Sequence, residues 1–99
     1  MWVRLRTVVE ENEAQHSVEV FSGEFQRFDE AWEALKWLLC RKPDIGVSKT
    51  VGDWEYYLYV SAPDELAKTP AIWVVYSYTD QEVTIHGLTA VQQVPEQSI

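Results

Sequence analysis

Glu55 and His86 are two side chains in the C-terminal half that could act together as an acid and a base. A carboxylate and an imidazole can share proton transfer when one surface holds both. Each lies in a segment whose alternating pattern predicts a strand, and the predicted faces place both on the side away from the helix. Cutting RNA also requires cations around the phosphate, and residues 51–99 contain one, Lys68. Glu55 and His86 are therefore weak catalytic candidates, and an enzyme is the less favoured interpretation.

Three aromatic side chains are predicted on that same face, namely Tyr57, Tyr59 and Trp73. Such rings could stack on nucleobases or on an aromatic ligand. They could also pair with one another across the strands of a half-exposed sheet. Pairing is the favoured interpretation, and the three residues are also candidates for binding.

Metal ions and cofactors have no predicted site in this sequence. Its two histidines, His16 and His86, are far apart, and Cys40 is the only cysteine, so no ligand cluster is formed. The glycines are isolated, which excludes a phosphate loop. No Ser or Cys lies in a recognisable nucleophile motif. We therefore predict no cofactor and no metal.

The charge distribution argues against direct binding of nucleic acid. The 99 residues carry a formal net charge of −8, and residues 51–99 hold seven acids against one base. A protein that binds RNA or DNA neutralises phosphates with Lys and Arg. The sequence also lacks both a signal peptide and a run of about 20 apolar residues that could span a bilayer. A soluble, cytoplasmic protein with no membrane contact is the expectation.

The N-terminal half predicts one strand followed by one main helix, or by two. Residues 2–9 alternate apolar and charged types, as in a half-buried strand, and residues 10–16 are polar, as in a loop. Residues 18–21 fit either a short strand or the start of a helix. The main helix is predicted over 24–42, with Ser22 as its N-cap and Pro43 after its end. Its apolar stripe is formed by Phe25, Phe28, Trp32, Leu35 and Leu39.

The C-terminal half predicts an antiparallel three-stranded sheet over 54–61, 71–79 and 82–91, the last two forming a tight hairpin. The side chains expected to face the helix are Trp54, Tyr56, Leu58, Val60, Ile72, Val74, Tyr76, Val83 and Ile85. Those expected on the other face are Glu55, Tyr57, Tyr59, Trp73, Ser77, Thr84 and His86. The prediction is a single α+β domain over 1–91, with a disordered tail over 92–99.

Trp37 does not belong to the apolar stripe of the main helix. At about 100° per residue its side chain points almost opposite to the stripe. The N-terminal segment could cover it, or it could be the anchor for a partner, since Trp is enriched where partners dock. An acidic surface would then call for a basic partner segment.

Two stretches of the sequence resemble the RelE/ParE superfamily of toxins. Residues 28–39, followed by Arg41-Lys42-Pro43-Asp44-Ile45-Gly46, are similar to the helix and the Pro-x-x-Gly exit of that family. Residues 70–80 and 83–88 are similar to its closing hairpin. The resemblance covers about residues 25–91 and implies a RelE/ParE-like fold.

The resemblance implies a toxin component of a toxin–antitoxin module of the plasmid-stabilisation type, neutralised by a partner antitoxin. The mRNA-cleaving members use Arg and Lys on the sheet and a Tyr or His near the end of the last strand. Here those positions fall near 56–57, 72–73 and 89–90, which contain no Arg or Lys. We therefore expect action by protein binding. The alternatives are a non-catalytic interaction or regulatory protein that retains the fold and, less favoured, a ribosome-dependent mRNA endonuclease. A homodimer is left open.

Overall fold

The elements follow one another as a strand, two helices and four strands in the computed structural model, which describes residues 5–62 and 69–91. In chain order they are β1 (Thr7–Glu10), α1 (Asn12–Glu24), α2 (Phe28–Arg41), a 3-10 turn (Pro43–Ile45), β2 (Val47–Val51), β3 (Trp54–Val60), β4 (Ala71–Tyr78) and β5 (Glu82–Val91). The predicted α+β class is confirmed. The predicted tail over 92–99 lies outside the described residues.

The sheet has five strands in the order β1-β5-β4-β3-β2, which corrects the three-stranded prediction. β2 joins β3 through a tight turn, where Gly52 has a positive φ of 61°. Such a φ favours glycine because it lacks a Cβ. β1 pairs with β5 in parallel, and the other pairings are antiparallel. The sequence did not predict β2, because its five residues are all exposed and only the two end residues, Val47 and Val51, are apolar.

The N-terminal half forms two helices, and the loop predicted over 10–16 is wrong. Its residues belong mostly to α1, whose inward contacts come from Ala14, Val18 and Phe21. These three positions are separated by polar residues, so the helical period is weak in sequence. α2 is shorter than the predicted helix, and Ser22 is not its N-cap. Instead the Ser22 hydroxyl donates to the Asp29 carboxylate at 2.6 Å and links the two helices.

The core lies between α2 and the hairpin of β4 and β5, as the periodic patterns predict. The stripe of α2 is buried at Phe28, Trp32, Leu35 and Leu39. The sheet contributes buried side chains from alternate positions of both strands, namely Ile72, Val74, Tyr76, Val83, Ile85, Leu88 and Ala90. Burying a large apolar side chain stabilises a fold by about 1.5–3 kcal/mol. The hydrophobic core that stabilises the fold is therefore formed mainly by this hairpin and α2.

A β-bulge interrupts the pairing of β4 with β5. Val75 is opposite Gly87, while Tyr76 is opposite Ile85, so His86 is the extra residue. A bulge of this kind redirects a side chain without ending the sheet. Because Ile85 and Leu88 both point into the core, the bulge places His86 on the other face.

Candidate functional site

The sheet face opposite the core carries a continuous group of apolar side chains, and we call it the open face. Residues paired across neighbouring strands point to the same side of the sheet. Val47 pairs with Leu58, and Leu58 pairs with Val75, so these three residues identify the open face. Its apolar members are Val47, Val51, Trp54, Tyr56, Leu58, Val60, Trp73, Val75 and Val91. Trp54 is 66% exposed and Trp73 is 48% exposed. Neighbouring exposed apolar groups are a feature that protein contact surfaces share.

The predicted faces of β3 are the reverse of those observed. Tyr57 is opposite Tyr76 of the core, and its ring lies 4.9 Å from that of Tyr78. Tyr59 likewise packs against the core. Trp54 and Tyr56 stand on the open face instead, with parallel rings 6.3 Å apart. Both sets of alternate residues on β3 contain aromatic side chains, so apolarity alone could not assign the faces.

Of the predicted binding residues on the sheet, Trp73 alone lies on the open face. Tyr57 and Tyr59 are half-buried on the core side. The hydrogen bond between the hydroxyls of Tyr57 and Tyr78 is the largest cause that raises the pKa of Tyr57 above its ordinary value, and partial burial adds to it. Tyr57 is therefore neutral at physiological pH and is unsuited to act as a base.

Glu55 and His86 lie on opposite faces of the sheet, so the structure does not form the predicted acid–base pair. Glu55 is on the core side of β3, where its Oε2 accepts from the Ser48 hydroxyl at 2.9 Å. That position is near the exposed edge formed by β2. The two side chains cannot serve one substrate atom.

His86 instead contacts two side chains that the sequence pattern does not mark as catalytic candidates. Its Nε2 lies 2.8 Å from the Ser77 hydroxyl, and its Nδ1 lies 2.7 Å from Oε1 of Glu11. The ring of Tyr56 meets the imidazole edge-on, with centroids 5.6 Å apart. Glu11 and His86 are 75 positions apart in the sequence, and no local motif could have connected them.

The parallel pairing of β1 with β5 brings Glu11 to this position. β1 ends at Glu10, opposite Ile85, and the Glu11 N–H then donates to the Ile85 carbonyl at 3.1 Å. Glu11 is also the N-cap residue of α1, but its side chain makes no capping hydrogen bond. Its carboxylate contacts His86 instead.

A groove of about 550 Å³ runs along the open face and includes Gly87, the residue that follows His86. The apolar side chains of Leu58, Trp73 and Val75 line one side, and Gly87 lies beside the histidine. Glu13 and Ser17 of α1 form the opposite border. The groove is therefore apolar within and acidic at one edge.

The cations of the described residues lie almost entirely away from the open face. Arg4 and Lys68 are outside the described ranges. Lys49, opposite Tyr56, is the one cation that the described residues place on the open face. Arg27 pairs with Glu30, and Lys36 pairs with Glu33 at 2.9 Å, both on the helices. A polyanion would meet little compensating charge on this surface.

Trp37 projects from the outer side of α2 and is 56% exposed. The N-terminal residues that the structure describes do not bury it. Its carbonyl accepts from the buried thiol of Cys40 at 3.2 Å. Trp37 thus belongs to a second surface, separated from the open face by the core.

A metal centre and a membrane-spanning helix are both absent from residues 5–62 and 69–91. No group of three or more His, Cys, Asp or Glu side chains there could hold a metal ion. No helix in those ranges is both long and apolar enough to cross a membrane. Comparison with protein-family models, with curated proteins and with solved structures found no match for this chain.

Proposed function

We propose that the chain is a protein-binding domain that acts through the open face. The observation that carries this proposal is the continuous apolar surface over β2, β3 and β4, with two exposed tryptophans. Exposed Trp side chains often supply much of the binding energy where partners dock. In an antiparallel sheet with one face on the core, the other face is ordinarily polar. Here β3 and the residues beside it on β2 and β4 are mostly aromatic and aliphatic, with Lys49 as an exception.

The partner that fits this surface is a polypeptide segment with apolar and basic side chains. Apolar residues would cover Trp54, Trp73 and Val75, and basic residues would face Glu11 and Glu13 at the α1 border. The formal net charge of −8 would also attract a basic segment from a longer distance. Nucleic acid is disfavoured, because aromatic stacking surfaces that bind single strands also require a positive groove.

The toxin of a toxin–antitoxin module is the specific form of this function that the RelE/ParE resemblance implies. What supports it is the order of one strand, helices and a run of antiparallel strands. The antitoxin would supply the basic segment, and Trp37 would be a second anchor. A cytoplasmic location belongs to the same proposal. A regulatory protein that retains the fold is the alternative, and growth assays separate the two.

The binding surface can be tested with a defined peptide in place of the natural partner. A peptide of alternating Lys and Leu should bind the purified chain, and titration calorimetry should show a Kd at least 10-fold tighter than for a Glu–Leu peptide. The double variant Trp54→Ser, Trp73→Ser should weaken binding about 10-fold or more. The matched control is Trp37→Ser, which removes a similarly exposed ring from α2. If the control weakens binding and the double variant does not, the helix is the binding surface.

Toxicity is tested by induced expression alone and with the product of the neighbouring reading frame. The toxin proposal expects growth arrest alone and recovery on co-expression. Trp54→Ser, Trp73→Ser should alter one of these two phenotypes while the protein accumulates to the same level. Normal growth in every strain, with peptide binding retained, would support the regulatory alternative.

A further inference from the structure

Ser77, His86 and Glu11 form a linear chain of hydrogen bonds on the open face. The Ser77 hydroxyl contacts Nε2 of His86 at 2.8 Å, and Nδ1 of the same ring contacts the Glu11 carboxylate at 2.7 Å. In this order a hydroxyl, an imidazole and an acid are the parts of an activated nucleophile. The acid fixes the ring so that Nε2 can accept the hydroxyl proton.

Three separate elements build this chain of contacts. Ser77 comes from β4, His86 from the bulge in β5, and Glu11 from the junction of β1 and α1. Residues of a strand alternate between its two faces, so a regular strand with Ile85 in the core would place Leu88 on the open face. The extra residue at the bulge, His86, lets Leu88 return to the core. Bulges are over-represented beside active sites for this reason.

The surroundings allow a substrate to approach. The side chain of His86 is 24% exposed and that of Glu11 is 52% exposed, while Ser77 is half-buried. The groove that includes Gly87, the residue after His86, is lined by Val75, Trp73 and Leu58, which suit an apolar acyl group. Glu13 at the rim disfavours an anionic substrate. Carboxylic esters with a neutral, apolar acyl group are the class that fits.

We propose that Ser77 is a nucleophile for such esters, with His86 as its base and Glu11 as a positioning residue. Ser77 Oγ attacks the ester carbonyl carbon and gives its proton to His86 Nε2. The bond from that carbon to the alcohol oxygen breaks, and His86 returns the proton to the departing alcohol. Water then attacks the acyl-serine, again through His86, to release the carboxylic acid and restore Ser77.

The first turn of α1 borders the same groove and supplies Glu13 to its rim. This site shares Trp73, Val75 and Glu11 with the proposed binding surface, but its reaction depends on Ser77 and His86, so substitutions at those two residues test it separately from peptide binding.

The test is labelling of the full chain with a fluorophosphonate probe, which forms a serine–phosphorus bond and releases fluoride. We expect one adduct, located on Ser77 by tandem mass spectrometry, and an initial burst of nitrophenolate from p-nitrophenyl acetate. Ser77→Ala should abolish both. Ser48→Ala is the matched control, because that serine also contacts a carboxylate but no histidine.

The roles of His86 and Glu11 are separated by a double-mutant comparison. His86→Ala should slow labelling about 100-fold, with partial recovery in added imidazole. Glu11→Gln should slow labelling in the wild-type background and have no further effect when His86 is already Ala. Thermal melting of each variant confirms that it is folded. Equal labelling of the wild type and folded Ser77→Ala would overturn the proposal, as would labelling spread over several serines.

Discussion

At the scale of single residues, the Tyr76 hydroxyl connects β4 to the turn that follows α2. It donates to the Pro43 carbonyl at 2.5 Å and accepts from the Gly46 N–H at 3.0 Å, and the side chain is fully buried. Tyr76→Phe leaves both backbone groups without a partner, which costs about 1–3 kcal/mol for a buried group. Urea unfolding should show this loss. Tyr59→Phe is the control and should change stability little, because no described group bonds its hydroxyl.

Tyr76 also predicts how stability depends on alkaline pH. Burial raises its pKa from 10.0 to about 12 in the folded protein. In the unfolded chain the phenol ionises near its ordinary value, about 10. The folded state therefore keeps a proton that the unfolded state loses, so this contribution is complete below pH 10 and is lost between about pH 10 and 12. The stability difference between wild type and Tyr76→Phe should shrink over that interval in urea titrations. A constant difference up to pH 12 would contradict it.

Single residues also show what the sequence could predict. The core side of β5 was correctly predicted, because Val83 and Ile85 alternate with the polar Thr84 and His86. The core side of β4 was also correctly predicted, although Trp73 and Val75 leave both of its sets of alternate positions apolar. The faces of β3 were not, because rings occupy both sets of alternate positions. The contact of Glu11 with His86 depends on a parallel pairing and a bulge, and neither leaves a local signal.

At the scale of elements, the junction between α2 and β2 is tightly packed around Gly46. A Cβ there would collide with the Tyr76 hydroxyl and lie 3.1 Å from the Leu58 carbonyl oxygen. Gly46→Ala should therefore destabilise the fold by about 1–3 kcal/mol, as overpacking does. Gly23 in α1 has no atom within 4 Å of a Cβ, so Gly23→Ala should stabilise by about 0.5–1 kcal/mol. Thermal melting of the two variants should move in opposite directions. A loss of stability in both would place Gly23 in a contact that the structure does not show.

The sequence predicted α2 and did not predict α1, because the sequence of α2 carries much stronger helix signals than that of α1. α2 combines acids in its first turn, Arg41 in its last turn and a full apolar stripe, so its existence was predictable. α1 begins without a side-chain cap and buries Ala14 alone completely. Its position depends on contacts with β5, which is tertiary information.

At the scale of the whole molecule, the apolar open face favours self-association and the net negative charge opposes it. Two copies could cover their apolar faces, but each carries a net charge of −8. The screening length is about 30 Å at 0.01 M salt and about 3 Å at 1 M. Repulsion at low salt thus reaches beyond the 14.2 Å radius of gyration, and at high salt it does not.

We therefore expect a monomer at 0.01 M NaCl and measurable self-association at 1 M, detected by sedimentation equilibrium at about 100 µM protein. Trp54→Ser, Trp73→Ser should abolish the association, because it removes the largest exposed rings of the open face. Trp37→Ser should leave it unchanged. Association that weakens with salt would mean that charged groups hold the copies together, and the open face would then be free for a different partner at every ionic strength.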